Sequence, residues 1–249
     1  MSVPNPPSLG ATGSPDRRPI AARRLPVFAA MAAALARARF SPNLISILGM
    51  FAAALAGVLL ALSGAGVAGV TQRLVLAVAA ALIQLRLLAN MLDGMVAVEG
   101  NMRSPTGDLY NEAPDRVSDV AVLIGAGYAA TGSPTFGFLS AIGAVLVAYA
   151  RALGKGSGHP ADFRGPMAKQ QRMFIVTVAS LYLAIAPAGS PWRPVLTLSD
   201  HAPFDQPLGV MSIALAIIII GCAITFCRRV RLLSIRLRAG GGSGAGGAP

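Results

Sequence analysis

The chain has 249 residues, 54% of them hydrophobic and only 12% charged, with a mean hydropathy of +0.63 and a formal charge of +11. Soluble domains carry about 25% charged residues, so this composition excludes an ordinary globular domain and points to an all-α integral membrane protein. The positive excess fits cytoplasmic loops and contact with anionic membrane lipids, and aromatics, at 6%, are too sparse for base stacking and argue against a nucleic-acid partner.

Residues 1–25 are rich in Pro, Ser, Gly and Arg and read as a disordered cytoplasmic tail. The stretch 26–40, PVFAAMAAALARARF, favours a helix too short to span, and Arg37 and Arg39 at its end suit an amphipathic helix lying in the membrane interface. It lies too far in, and lacks a cleavage site, for a signal peptide. Pro42 turns Ser41 away from helix and opens a domain expected to run from 41 to 230. Six spans are predicted there, at about 43–63, 74–98, 111–131, 135–153, 171–188 and 207–227, each near the ~20 residues a bilayer requires. Basic residues alternate between the connections. They crowd the amino-terminal side, the 154–170 loop and the tail, and are scarce elsewhere. The positive-inside rule then puts both termini, the 99–110 joint and the 154–170 loop in the cytoplasm. Residues 231–249 are basic and then Gly-rich, a flexible end. Cys222 and Cys227 share one apolar segment and suggest neither disulfide nor metal. His159 and His201 have no partners at ligand spacing.

The joint between the second and third spans carries the chemistry. NMLDGMVAVEGNMRSPTGDLYNEAPD runs from Asn90 to Asp115, with Asp119 one turn further. Asn90, Asp93 and Ala97 fall on one helical face, and Asn111, Asp115 and Asp119 on another. Glu112 and Asp108 lie on the neighbouring stripe. The short joint is expected to make the two helices antiparallel neighbours, so that two carboxylate faces oppose each other just inside the cytoplasmic surface. Facing carboxylates repel unless a cation neutralises them, and oxygen ligands without His or Cys suit Mg²⁺, Mn²⁺ or Ca²⁺. Gly94 and Ala97 leave room for a ligand near backbone. Helix capping by Asn111 or Asp108 accounts for one or two of these residues. It does not account for Asp93 or Asp119, and acids at membrane depth are by default functional.

The stretch resembles the signature of the CDP-alcohol phosphotransferases, D-x2-D-G-x2-A-R-x8-G-x3-D-x3-D. Asn90, Asp93, Gly94, Ala97, Val98, Gly107, Asn111 and Asp115 fall at its intervals, and the six spans, the interfacial helix and the SPN at 41–43 are similar to that family. The resemblance implies transfer of a phosphatidyl or other substituted phosphate from a CDP-alcohol, CDP-diacylglycerol being the expected donor, to an acceptor hydroxyl with release of CMP. It implies one or two Mg²⁺ or Mn²⁺ ions at Asn90, Asp93, Asn111 and Asp115. Asp115 would be the base, and Asp93, Gly94, Ala97, Gly107 and Asp108 would contact CDP. It also implies a homodimer, for which Gly137 and Gly143 leave room, and an inner, plasma-membrane location with the site facing the cytoplasm.

The chain departs from the pattern at Asn90 and Asn111, where the signature has Asp, and at Val98, where it has Arg. Two motif charges remain instead of four, which favours one metal unless Glu112, Asp108 or Asp119 compensates. A CDP-lipid-binding homologue without turnover, acting as a partner subunit, is therefore the alternative function. A small ion-coupled transporter would show an inverted repeat, and none is visible. Arg151, Lys169, Arg172 and Arg228 are the cations expected to hold an anionic donor or a phosphorylated acceptor. Arg86, alone in the middle of the second span, requires a partner at that depth. Antiparallel register predicts a structural pair between Arg86 and Asp119, which leaves Asp119 outside the metal ligands.

Overall fold

Prolines and left-handed residues set the boundaries. Pro26 and Pro42 each occupy a first helical turn, where a missing N–H costs nothing. Between them Arg39 adopts φ 57°, and the amide of Phe40 donates to the carbonyl of Leu35 at 3.0 Å, closing the first helix in the manner of a Schellman turn. A computed structural model describes residues 25–102, 106–159, 162–186 and 208–241. Within them the chain forms seven helices: α1 (Pro26–Arg37), α2 (Pro42–Gly64), α3 (Gly69–Glu99), α4 (Gly107–Gly127), α5 (Pro134–Gly156), α6 (Lys169–Ile185) and α7 (Val210–Gly241). There is no β-strand among the described residues.

Each predicted span has its helix. By length and composition, however, only α2, α3, α5 and α7 are long and apolar enough to cross a membrane. In α4 the charges that make it chemically interesting, among them Glu112, Asp115, Arg116 and Asp119, spoil its apolarity. In α6 the helix is only 17 residues long. Two elements outrun their predicted limits. α3 starts at Gly69, and α7 continues to Gly241, so the basic segment expected to be flexible is helical. The tail before Leu25, Arg103, Arg193, His201 and the last residues lie outside the described residues.

The packing is that of a membrane bundle. Small residues line the contacts: Ala53 and Ala56 of α2, Ala79 of α3, Ala126 of α4, Ala141 and Ala144 of α5. Large ones at helical spacing face outward, such as Leu48, Phe51, Leu55 and Leu62 of α2 and Ile217, Ile220 and Ile224 of α7. Lipid is as apolar as leucine, so helix association rests on close backbone approach rather than on burying large side chains. Gly57 of α2 meets α4 backbone to backbone. A Cβ on Gly125 would overlap the carbonyl oxygen of Gly57. Gly137, expected to serve a dimer, instead touches Gly127 of α4 within the chain, where a Cβ would lie 2.8 Å away, and Gly143 faces Cys222 of α7 at 3.0 Å. The space attributed to a second copy is thus used internally.

One expectation about helix order is corrected. α2 packs along both α3 and α4, whereas α3 and α4 scarcely touch through backbone. The two halves of the signature therefore stand on either side of α2. α1 lies across the same end, with Ala32 buried among Ile45, Met91, Leu92, Met95 and Val96. At the opposite end the guanidinium of Arg73 donates to the carbonyls of Ala184 (2.6 Å) and Ile185 (2.8 Å), capping α6.

Candidate active site

Among the described residues, the buried charged side chains gather at one end of the bundle. The first turns of α2, α4 and α6 and the last turns of α3, α5 and α7 meet there. α4 starts at Gly107 with Thr106 as its N-cap residue and no side-chain capping bond, so Asn111 is not a cap. Pro114, inside α4, has no N–H for the carbonyl of Tyr110, and the hydroxyl of Ser118 donates to the carbonyl of Pro114 at 2.6 Å.

Asp93 and Asp115 are buried, at 6% and 8% exposure. Asp93 Oδ2 accepts a short hydrogen bond from the hydroxyl of Ser46 on α2. Asp115 Oδ1 accepts from Arg86 Nη2 at 2.6 Å and from Lys169 Nζ. Its Oδ2 lies 3.9 Å from Arg116 Nη2. Arg86 reaches it past Gly49 of α2, where a Cβ would stand 2.8 Å from both the Arg86 guanidinium and Ala89. The expected Arg86–Asp119 pair is therefore not the one formed. Asp119 accepts instead from Arg172 Nη2 at 2.5 Å, both side chains being essentially inaccessible. A pair between Arg86 and Asp119 requires α3 and α4 side by side. With α2 between them, Arg86 crosses to Asp115, one turn nearer the helix start, and α6 supplies the partner for Asp119.

The remaining candidates divide by exposure. Asn90 turns Oδ1 into the protein, where it has no hydrogen-bond partner among the described residues. Asn111 and Glu112 are exposed. Glu112 is held by Arg116 at 3.0 Å and by Arg151 Nη2 at 2.5 Å. Gly94 and Ala97 are half-buried, and a Cβ on Gly107 would meet nothing within 4 Å among the described residues. The Asp108 side chain lies outside the described residues.

Of the four cations assigned to anion binding, Lys169 and Arg172 are committed to Asp115 and Asp119. Arg228 is exposed, and its neighbour Arg229 is the one that turns inward, donating to the carbonyls of Val147 (2.8 Å) and Arg164 (3.2 Å). Arg229 lines a small pocket with Arg151, Asp162 and Arg236. Partial burial alone would raise the Asp162 carboxyl. The hydrogen bonds from Arg164, one from its backbone at 2.9 Å, outweigh that and hold it below the usual carboxylate range. Ser46 and Arg116 also belong to the site, though neither falls at a signature position. Arg116 had a signal, standing four residues after Glu112 and beside Asp115. Ser46 had only its presence on an otherwise apolar helix face.

A divalent ion of the kind the signature implies can be tested against these donors. No group of three or more His, Cys, Asp or Glu side chains is arranged for a metal among the described residues. Asn90 Oδ1 and the Asp93 carboxylate, one turn apart on α3, do present two oxygens, one of them buried and unpaired. A buried acceptor without a partner costs about 1–3 kcal/mol, which an ion there would offset. Mg²⁺ and its relatives are commonly held by one or two carboxylates with substrate phosphates completing the shell. The donors fit one such ion.

No family model matches the chain. The inner membrane protein YnbA of Escherichia coli (strain K12) is 27% identical over 153 residues, 61% of this chain and 69% of that one. Solved structures of phosphatidylinositol phosphate synthase (PgsA1) from Mycobacterium tuberculosis, a CDP-alcohol phosphotransferase, share the fold. The form with CDP-DAG bound aligns with TM-score 0.64 and 19% identity over 84% of this chain and 94% of that one. The form with manganese and citrate gives 0.63 and 19% over 83% and 88%. The helical arrangement of this chain is thus the one in which that synthase is built.

Proposed function

We propose that this protein is a membrane transferase that moves a phosphatidyl or similar substituted phosphate from a CDP-alcohol, best CDP-diacylglycerol, to an acceptor hydroxyl with release of CMP. The observation that carries the reading is the coincidence of two things. The signature intervals from Asn90 to Asp115 lie at one end of a bundle that has the synthase fold, and there Asp93 and Asp115 are buried side chains aimed inward. The location proposed is the inner membrane, as for YnbA. The site faces the cytoplasm because the basic 154–170 loop and α7 arginines lie at its end of the bundle.

In this reading Asn90 and Asp93 hold a divalent ion, Mg²⁺ or Mn²⁺, whose contribution when bound is to neutralise the diphosphate and the departing CMP. Gly107, with no side chain and nothing within 4 Å of its Cβ position among the described residues, lets the donor approach the start of α4. Asp115 receives the proton of the acceptor hydroxyl. Arg86 and Lys169 both occupy Oδ1, so Oδ2 is the oxygen left for the substrate. Arg151, Arg229 and Arg236 surround the adjoining pocket and favour a phosphorylated acceptor.

A second reading is supported by the same carboxylate. An Asp115 that accepts from two cations already has part of its lone-pair capacity spent, as suits a homologue that binds CDP-lipid without turnover. One assay separates the two: CMP release from CDP-diacylglycerol with Mn²⁺ or Mg²⁺ and a panel of polyols and polyol phosphates. Turnover lost in Asp115→Asn, with the fold retained, supports the transferase. Donor binding with no CMP released for any acceptor leaves the binding homologue. Neither binding nor release removes both.

A further inference from the structure

The signature normally sets four acids together, and here two are asparagine. What the structure adds is that one of the two surviving acids, Asp115, is already countered from within the chain. Four carboxylates, Asp93, Asp115, Asp119 and Glu112, face five cations, Arg86, Arg116, Arg151, Lys169 and Arg172. Two of those cations are almost inaccessible, Arg86 at 1% and Arg172 at 2%. Charges at that depth persist only when paired, so they are built-in members of the site. The distribution is uneven. Among the described residues Asp93 meets a hydroxyl and no ion-pair partner within 4 Å, and Asn90 Oδ1 has no hydrogen-bond partner. Asp115 carries two cations on one oxygen, and Asn111, on the side of Asp115, is exposed.

Building on the transferase reading, we infer that Arg86 and Lys169 take the charge role of a second divalent ion, so that the site holds one metal, on the Asn90–Asp93 side, and two resident cations on the Asp115 side. Electrostatics favours this partition. A divalent ion beside Asp115 would stand next to a guanidinium and an ammonium in a medium where like charges a few ångström apart repel strongly. Asn111 contributes an amide oxygen and no charge to offset that repulsion. Lys169, partly exposed at 13%, is placed to lean toward an anionic donor while Arg86 keeps Asp115 oriented. Arg86 and Lys169 are thus positioning residues that act through Asp115, and Gly49 is the vacancy in α2 that lets Arg86 do so.

The experiment is a Mn²⁺ titration of the purified full-length chain in detergent containing CDP-diacylglycerol, with free Mn²⁺ counted by electron paramagnetic resonance. One tight ion per chain is expected. Two would overturn this inference and leave the transferase reading standing, whereas none would remove that reading and this one with it. In the variant N90D/N111D the count should stay at one, because Arg86 and Lys169 still occupy Asp115. A rise to two would show that the asparagines alone set the number, and would sink the assignment. Adding R86Q and K169Q to that pair should bring the count to two, and one would overturn the proposal. Should the fourfold variant fail to fold, N90D/N111D/K169Q should bind its second Mn²⁺ at least tenfold more tightly than N90D/N111D. Equal affinity would count against the idea just as firmly.

Discussion

The two halves of α4 are held in place by opposite means. From Glu112 to Asp119 the helix is gripped by long cationic side chains from α3, α5 and α6. From Ala121 to Gly127 it lies backbone against backbone with α2 and α5, and no side chain intervenes at Gly57, Gly125 and Gly137. The contrast separates what a membrane bundle needs in order to stand from what it needs in order to act. Backbone contact supplies dispersion and no specificity of charge. Buried ion pairs contribute little net stability, since desolvation consumes most of the attraction, yet they fix where each carboxylate points.

The comparison breaks most visibly at Asp119. Asp119→Leu leaves Arg172 buried without its partner and should destabilise by about 3–5 kcal/mol, with Asp119→Leu and Arg172→Leu together recovering most of that loss. Denaturation by SDS in mixed micelles measures both. Full recovery of stability without recovery of CMP release would show the pair to be positional. In the other half, Gly125→Ala should cost about 1–3 kcal/mol by forcing α2 and α4 apart. Gly57→Ala should cost a similar amount, and the two should combine non-additively because they press on the same contact. An additive result in the same denaturation assay would mean that the helices do not touch there. At the exposed rim Glu112→Gln should change stability by less than about 1 kcal/mol and lose its effect at high salt, as scanning calorimetry at two ionic strengths would show. Smallest is Arg39→Gly at the left-handed end of α1, where removing the Cβ should stabilise by about 0.5 kcal/mol, read as a rise of a degree or two in melting temperature.

How much of this was written in the chain differs between the same two regions. Helix positions followed from apolar length and from proline, and the ends of α2 and α5 fall within a few residues of expectation. That Asp93 and Asp115 fall on inward helical faces followed from their spacing. The partner of Arg86 did not, because pairing depends on which helices are neighbours, and nothing in a local pattern announces that α2 lies between α3 and α4. The glycines that permit that arrangement, Gly49, Gly57 and Gly125, are scattered in a sequence full of glycine, and their meaning appears only when the opposing backbone is in view. The same ignorance assigned Gly137 and Gly143 to a dimer. It also preferred Arg228 to Arg229, a choice of helical face that requires the direction of α5 to be known.

α7 carries a consequence of a different kind. Its 32 residues extend about 48 Å at 1.5 Å per residue, against a hydrocarbon layer of about 30 Å. The excess bears Arg228, Arg229, Arg231, Arg236 and Arg238 on a rigid rod continuous with the helix that backs the site. Each arginine drawn toward the bilayer centre would cost up to about 2.5–3.5 kcal/mol on insertion scales. The rod therefore acts as a keel with a fixed waterline. It sets the depth at which the bundle, with Asp93 and Asp115 buried in it, rides in the bilayer.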